Sequence, residues 1–158
     1  METNFPFRSI LIVCSVNTAR SRMAEGFLKD FFSKHGLDIE VKSGGIASNA
    51  RDGMLISMDA RLAMKDVGIN LSERSLSVDL KKHPQIIKKA DLILTLTEKH
   101  KKEIHEFTEK DNKVICTIKE FGGKSGDIED PSMKEEIFGK VRDEIIECLI
   151  KGLKKYSF

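Results

Sequence analysis

Cys14 and Arg20 stand six positions apart, where the character of the chain changes. Four apolar residues, Ile10 to Val13, lead into Cys14; Ser15, Val16, Asn17, Thr18 and Ala19 fill the interval, and Ser21 follows. From Met23 the apolar residues recur at Ala24, Phe27, Leu28 and Phe31, a helical spacing. A strand, a short loop and a helix start, in that order, aim several backbone N–H groups into one space, with the positive end of the helix dipole behind them. Successive amides in such a turn form an anion nest. A phosphate- or sulfate-type oxyanion fits there, held by the amides from Ser15 to Ser21 and by the two-pronged guanidinium of Arg20. The same field favours a thiolate, and a thiolate beneath a bound phosphoryl group is placed for in-line attack on phosphorus. A Cys that ends an apolar strand is also read as a small buried hydrophobe; on the residues alone both readings stand.

The remaining elements form a frame for this stretch. Residues 8–14 read as the first strand and residues 20–35 as a helix ended by Gly36. Ile39 and Val41, leading into Ser43-Gly44-Gly45, read as a second strand, and Leu55, Met58, Leu62 and Val67 as the apolar marks of a second helix closed by Gly68. Residues 69–80 are polar without a clean period and read as a surface loop; Ile86, Ile87 and Ala90 suggest a helix after Pro84. Residues 91–96 are a continuous apolar strand, Thr97 can cap the helix after it, and residues 113–118 make a fourth strand. Gly122, Gly123 and Gly126 open a loop that runs through the acidic segment Asp127 to Pro131. A last helix shows Ile137 or Phe138, Val141, Ile145 and Leu149 on one face. Continuous apolar strands alternating with helices predict an α/β fold: one three-layer domain over residues 1–158, a four-stranded parallel sheet with helices on both faces, and a phosphate-binding loop after the first strand. Ligands of such sheets bind beyond the strand C-termini, where Cys14 lies.

Composition narrows the partners. The 158 residues hold 27 Lys plus Arg against 25 Asp plus Glu, a net charge of +2, which gives no case for nucleic acid or a membrane as partner. The basic run Lys99, Lys101 and Lys102 reads as a solvated face. Three widely spaced cysteines fit a reducing compartment and offer no zinc framework, and the first nine residues hold no long apolar region, so a cytoplasmic protein without a signal peptide is expected.

The sequence around Cys14 resembles the low-molecular-weight protein tyrosine phosphatase family, whose signature runs Cys-x-Gly-Asn-x-Cys-Arg-Ser-Pro-Met-Ala-Glu; here Cys14, Asn17, Arg20, Ser21 and Met23-Ala24-Glu25 match it. That family includes protein arginine phosphatases and thioredoxin-coupled arsenate reductases. The resemblance implies a nucleophilic Cys14 and a general acid in an Asp-Pro loop before the last helix, which falls on Asp130 of Asp130-Pro131, with Asp127 in reserve. The neighbouring charges of Asp127 and Glu129 are expected to raise the pKa of Asp130. The resemblance also implies that Ser21 hydrogen-bonds the Cys14 sulfur, that Asn17 braces the loop with Ser43, and that neither metal nor organic cofactor takes part.

The chain departs from the family at several points. Val16 stands for Gly, where a β-branched residue resists positive φ and would strain the loop. Ala19 stands for the second Cys, Arg22 for Pro, and Ser132 follows Asp130-Pro131 where relatives usually carry an aromatic; a His often present before the substrate loop is missing from residues 71–76. Thr18 takes the place of a bulky aliphatic in tyrosine-specific relatives and matches the Thr of arginine phosphatases. The reading is a phosphoprotein phosphatase that hydrolyses phosphotyrosine through a cysteinyl-phosphate, working as a monomer or weak dimer, with protein arginine phosphatase as the alternative. Arsenate reductase ranks behind, for want of two relay cysteines. So do a Cys phosphoryl carrier, which needs neither Arg20 nor Asp130, and an inactive phosphate-binding module.

Overall fold

Ser9–Cys14 forms strand β1, the second of four in a sheet ordered β2–β1–β3–β4, with β2 at Glu40–Gly45, β3 at Leu92–Thr95 and β4 at Val114–Thr117. The computed structural model describes residues 4–108 and 113–158. All pairings are parallel, and Cys14 lies opposite Gly45 at the C-terminal end of β1. The apolar run of β1 follows from its place: Ile10, Ile12 and Cys14 enter a core shared with α1 (Arg20–Lys34) and α6 (Phe138–Lys154), whereas Leu11 and Val13 enter a second core shared with α3 (Pro84–Lys89) and α4 (Glu98–His105). Helices thus cover both faces of one α/β domain, as the sequence predicts. With β2 on one side of β1 and β3 on the other, the strand order reverses at β1, the kind of switch point beyond which ligands of such sheets bind, and Cys14 ends that strand.

Helix boundaries follow their local signals. Gly36 takes φ 65° just beyond α1, and Thr97 accepts from the His100 amide at 3.1 Å to start α4. The short helix α5 (Ile118–Phe121) is a departure from the sequence reading, which carries the fourth strand to Ile118. Thr117 and Glu120 make a reciprocal capping box there, the Thr-x-x-Glu signature of a helix start. The last helix buries Phe138, Val141, Ile145 and Leu149 on the expected face.

Helix α2 (Met58–Lys65) reverses an expectation. Leu55, Met58, Leu62 and Val67, the marks of its supposed buried stripe, are 70, 68, 54 and 42% exposed, and Ala60, Ala63 and Met64 face the core instead. Small residues let α2 approach α1 and α6 closely, a preference that an apolar period does not register. Residues 69–80 are not wholly a surface loop either: Ile69, Ser77, Asp79 and Leu80 are buried, and Asp79 bridges to Gly45 at the end of β2. Gly45 itself admits no side chain, because a Cβ would stand 2.6 Å from the Ser15 carbonyl oxygen. This close approach seats the loop after β1 on the end of β2.

Candidate active site

The loop after β1 turns its polar groups inward. Asn17, at φ 66°, is the loop's one residue in the left-handed region and is fully buried. Its amide donates to the Cys14 sulfur at 3.1 Å. Its side-chain nitrogen donates to Ser21 Oγ at 2.9 Å and Ser43 Oγ at 2.8 Å, and its oxygen accepts from the Val78 amide at 2.9 Å. Ser21 Oγ, already an acceptor from Asn17, lies 2.8 Å from the sulfur and has its own proton to give it. Ser43 donates onward to Glu25, which also pairs with Lys29 at 2.7 Å and Arg22 at 3.5 Å. Every donor in this chain has an acceptor, and the sulfur receives at its end. Val16 stays outside the left-handed region, so the strain expected from replacing Gly is absent; Asn17 alone makes the turn. No side chain caps the first turn of α1, which begins after Ala19, so its amides are left for an anion.

Arg20 joins this loop to the acidic one. Its side chain is 7% exposed; Nη1 donates to the Ile128 carbonyl at 2.7 Å, and Nη2 stands 3.8 Å from Asp130 Oδ2. The Ile128 amide in turn donates to the Leu96 carbonyl beyond β3 at 2.9 Å, which fixes the acidic loop to the sheet. Asp130 has a side-chain exposure of 54% and accepts from the Ser132 amide at 3.0 Å. Burial acts to raise its pKa, but the Ser132 hydrogen bonds and the charges of Arg20 and His100 outweigh it and hold the carboxyl below its usual range. This direction is opposite to the one expected from like charges nearby. Glu129 is paired with Lys134 at 3.2 Å, and Asp127 accepts from the Glu98 amide at 2.8 Å at the start of α4, so both charges are compensated by their own partners.

Cys14, Arg20, Ser21, Asn17, Ser43 and the Asp130 loop are therefore gathered at one end of the sheet. Thr18 binds α2 through its carbonyl, which accepts from the Ser57 amide at 2.9 Å; its half-exposed hydroxyl has no hydrogen bond among the described residues. Cys116 is half-buried in β4, its thiol pushed up to about 11 by burial, and Cys148 is buried in α6, raised likewise by burial. Neither belongs to the loop. Two further groups at the site carry no signal in the sequence. Val78 braces the loop from the supposed surface segment, its amide donating to Asn17 Oδ1. His100, inside the basic run, is buried, and its Nε2 lies 2.8 Å from Ser15 Oγ. Its pKa falls to about 4 through burial and the nearby charges of Arg20 and Lys99, so the imidazole is neutral at pH 7.

A family model for low molecular weight phosphotyrosine protein phosphatase matches residues 9–156. A protein-arginine-phosphatase of Geobacillus stearothermophilus is 38% identical over 151 residues, covering 94% of each chain. The crystal structure of a low molecular weight protein tyrosine phosphatase from T. tengcongensis superposes with a TM-score of 0.83 at 34% identity, covering 93% of this chain and 98% of that one. A solved arginine phosphatase, a cysteine-to-serine mutant with a phosphorylated active-site serine, superposes with a TM-score of 0.83 at 30% identity, covering 93% of this chain and 94% of that one.

Proposed function

The chain belongs to the low molecular weight phosphotyrosine protein phosphatase family, and from that premise we propose that Cys14 attacks the phosphorus of a phosphorylated protein side chain and carries the phosphoryl group as a thiophosphate ester. The observation that carries the reading is the sulfur at the end of β1, receiving the Asn17 amide and facing Ser21, with Arg20 spanning from the same loop to Asp130. In the first step the sulfur–phosphorus bond forms as the bond to the leaving group breaks. Asp130 gives its proton to the departing atom, and Arg20 with the loop amides holds the equatorial oxygens. In the second step Asp130 takes a proton from water, whose oxygen displaces the sulfur, and Ser21 donates to the departing thiolate. Asp130 must be protonated for the first step, although Arg20 and Ser132 favour its carboxylate in the ligand-free chain. A phosphate dianion in the loop offsets the Arg20 field and adds negative charge beside the carboxyl; both effects raise its pKa.

Two substrate classes fit the family, phosphotyrosine and phosphoarginine, and two observations favour phosphoarginine. The Thr18 hydroxyl is unengaged at the loop, ready for a guanidinium N–H. The positions after Asp130-Pro131 are Ser132 and Met133, with no ring to stack on tyrosine, and Tyr156 packs against Phe5 and Phe7 in the core instead. The relatives named protein-arginine-phosphatase point the same way. Arsenate reduction through a cysteine relay lacks its cysteines near Cys14. Three unpaired cysteines suit the cytoplasm, and no helix among the described residues is long and apolar enough to cross a membrane. Matched phosphotyrosine and phosphoarginine peptides test the reading. Phosphate is expected to be released faster from phosphoarginine, and Thr18→Ile is expected to move the ratio toward phosphotyrosine. An unchanged ratio removes Thr18 from substrate choice, and release from neither peptide removes the phosphoprotein reading.

A further inference from the structure

The neighbourhood of His100 carries an inference that rests on the phosphatase reading and deepens it. Helix α4 presents Lys99 and Lys102 to solvent and pairs Lys101 with Glu120 at 2.9 Å, yet it turns His100 and Ile104 inward. His100 is 3% exposed, sits in the first turn of α4, and reaches the residue next to the candidate nucleophile: Nε2 is 2.8 Å from Ser15 Oγ. Its other ring nitrogen, Nδ1, is buried with no hydrogen-bond partner among the described residues. The charged groups that act on the ring come from three segments: Arg20 from α1, Lys99 from α4 itself, and Asp127 and Asp130 from the acidic loop. The ring thus lies where the phosphate loop, α4 and the acid loop meet.

The orphaned Nδ1 decides the tautomer. A neutral imidazole carries one N–H, and a buried N–H without an acceptor is rarer in folded proteins than an unfilled acceptor. The proton therefore belongs on Nε2, where Ser15 Oγ is at hand to accept it. A hydroxyl that accepts from Nε2–H cannot give its own proton back to that nitrogen. Ser15 is only half-buried, so its proton is free for a group arriving in the loop. With the opposite tautomer Ser15 would donate to His100 and turn only lone pairs toward an incoming oxyanion. We infer that His100 is a positioning residue of the phosphate loop: as the Nε2–H tautomer it donates to Ser15 Oγ and so directs the Ser15 hydroxyl proton to an oxygen of the bound phosphate.

The test reads the affinity of inorganic phosphate by calorimetry, which needs no turnover, together with kcat and KM on para-nitrophenyl phosphate. His100→Ala is expected to weaken phosphate binding about tenfold, the scale of one hydrogen bond. His100→Gln, whose side-chain amide can place an N–H near the position of Nε2–H, is expected to recover affinity to within about threefold, whereas His100→Asn, one carbon shorter, is not. Ser15→Ala should lose as much as His100→Ala, and the double variant no more than either alone. If His100→Gln is as weak as His100→Ala, or if the two single losses multiply in the double variant, the inference is overturned. Should His100→Ala fail to fold, wild-type phosphate affinity in Ser15→Ala overturns it equally. A wild-type chain that binds phosphate with this dependence on His100 and Ser15 but hydrolyses no aryl phosphate would instead overturn the proposed catalysis and keep the positioning role.

Discussion

The two loops that make the site differ in how they are built. The loop from Cys14 to Ser21 is held from within: Asn17 and Ser21 are fully buried, Ser15, Val16 and Thr18 are half-buried, and every polar side-chain atom of Asn17 is bonded, to Ser21, Ser43 and Val78. The loop from Gly126 to Met133 is mostly open, anchored by buried Ile128 and Pro131, and it leaves Asp130 half in solvent. The tasks proposed for the two loops account for the difference. An oxyanion cradle stabilises developing charge only if its dipoles are fixed beforehand. A general acid must meet leaving groups of varied shape and exchange its proton with water, which exposure permits. Arg20 belongs to both loops: its guanidinium donates to the Ile128 carbonyl and faces Asp130.

Perturbing each loop should therefore give a different signature. The largest effect is expected from Cys14→Ser, which should reduce hydrolysis of an aryl phosphate by roughly 10⁴-fold or more while phosphate binding survives. Retained turnover would separate the cradle from the chemistry. Asp130→Asn should lower kcat/KM, which reads the phosphoryl transfer to Cys14, by about 10²–10³ for phenyl phosphate, a poor leaving group, and by less than about tenfold for para-nitrophenyl phosphate. Equal losses would show that the exposed loop does not supply the proton. Asn17→Ala should act on folding as well as on rate, since it strips partners from Ser21, Ser43 and the Val78 amide; a loss of about 4 kcal/mol in urea unfolding is expected. A loss below about 1 kcal/mol would mean that the buried loop is not held as its hydrogen bonds indicate.

The smallest of the four expected effects is a dependence of stability on pH. His100 titrates near 6.5 when unfolded and near 4 when folded, so its folded pKa is depressed. Stability from this group is whole above pH 6.5 and is lost as pH falls toward 4, because the unfolded chain takes up a proton that the folded chain refuses. The shift corresponds to about 3 kcal/mol. His100→Gln should flatten that part of the stability–pH curve, and an identical slope in the variant would place the titration elsewhere.

What the sequence conceals in this protein is what long-range packing decides. The strand–loop–helix around Cys14 is legible because all its determinants lie within some twenty neighbouring residues, and the capping signal of Thr97 is local in the same way. The Asp130 loop is placed by the family resemblance, but its electrostatics are not legible there: Asp127 and Glu129 look like neighbours that raise a pKa until the Glu98 backbone amide and the Lys134 ammonium are seen to engage them. The buttress from Val78 to Asn17 spans 61 positions and leaves no periodic trace. His100 hides in a run of lysines because only the seating of α4 on the sheet shows which of its side chains turns inward. Helix α2 misleads through its strongest signal, the spacing of large apolar residues, since its packing face is made of Ala60, Ala63 and Met64 instead.

The central claim is that one sulfur carries the phosphoryl group in transit. Acid quenching of Asp130→Asn during turnover of para-nitrophenyl phosphate, followed by peptide mass spectrometry, should find a single phosphoryl adduct on the peptide that contains Cys14, and none when Cys14→Ala is added. Sustained phosphate release with no adduct, or with the adduct on any other residue, would contradict the account.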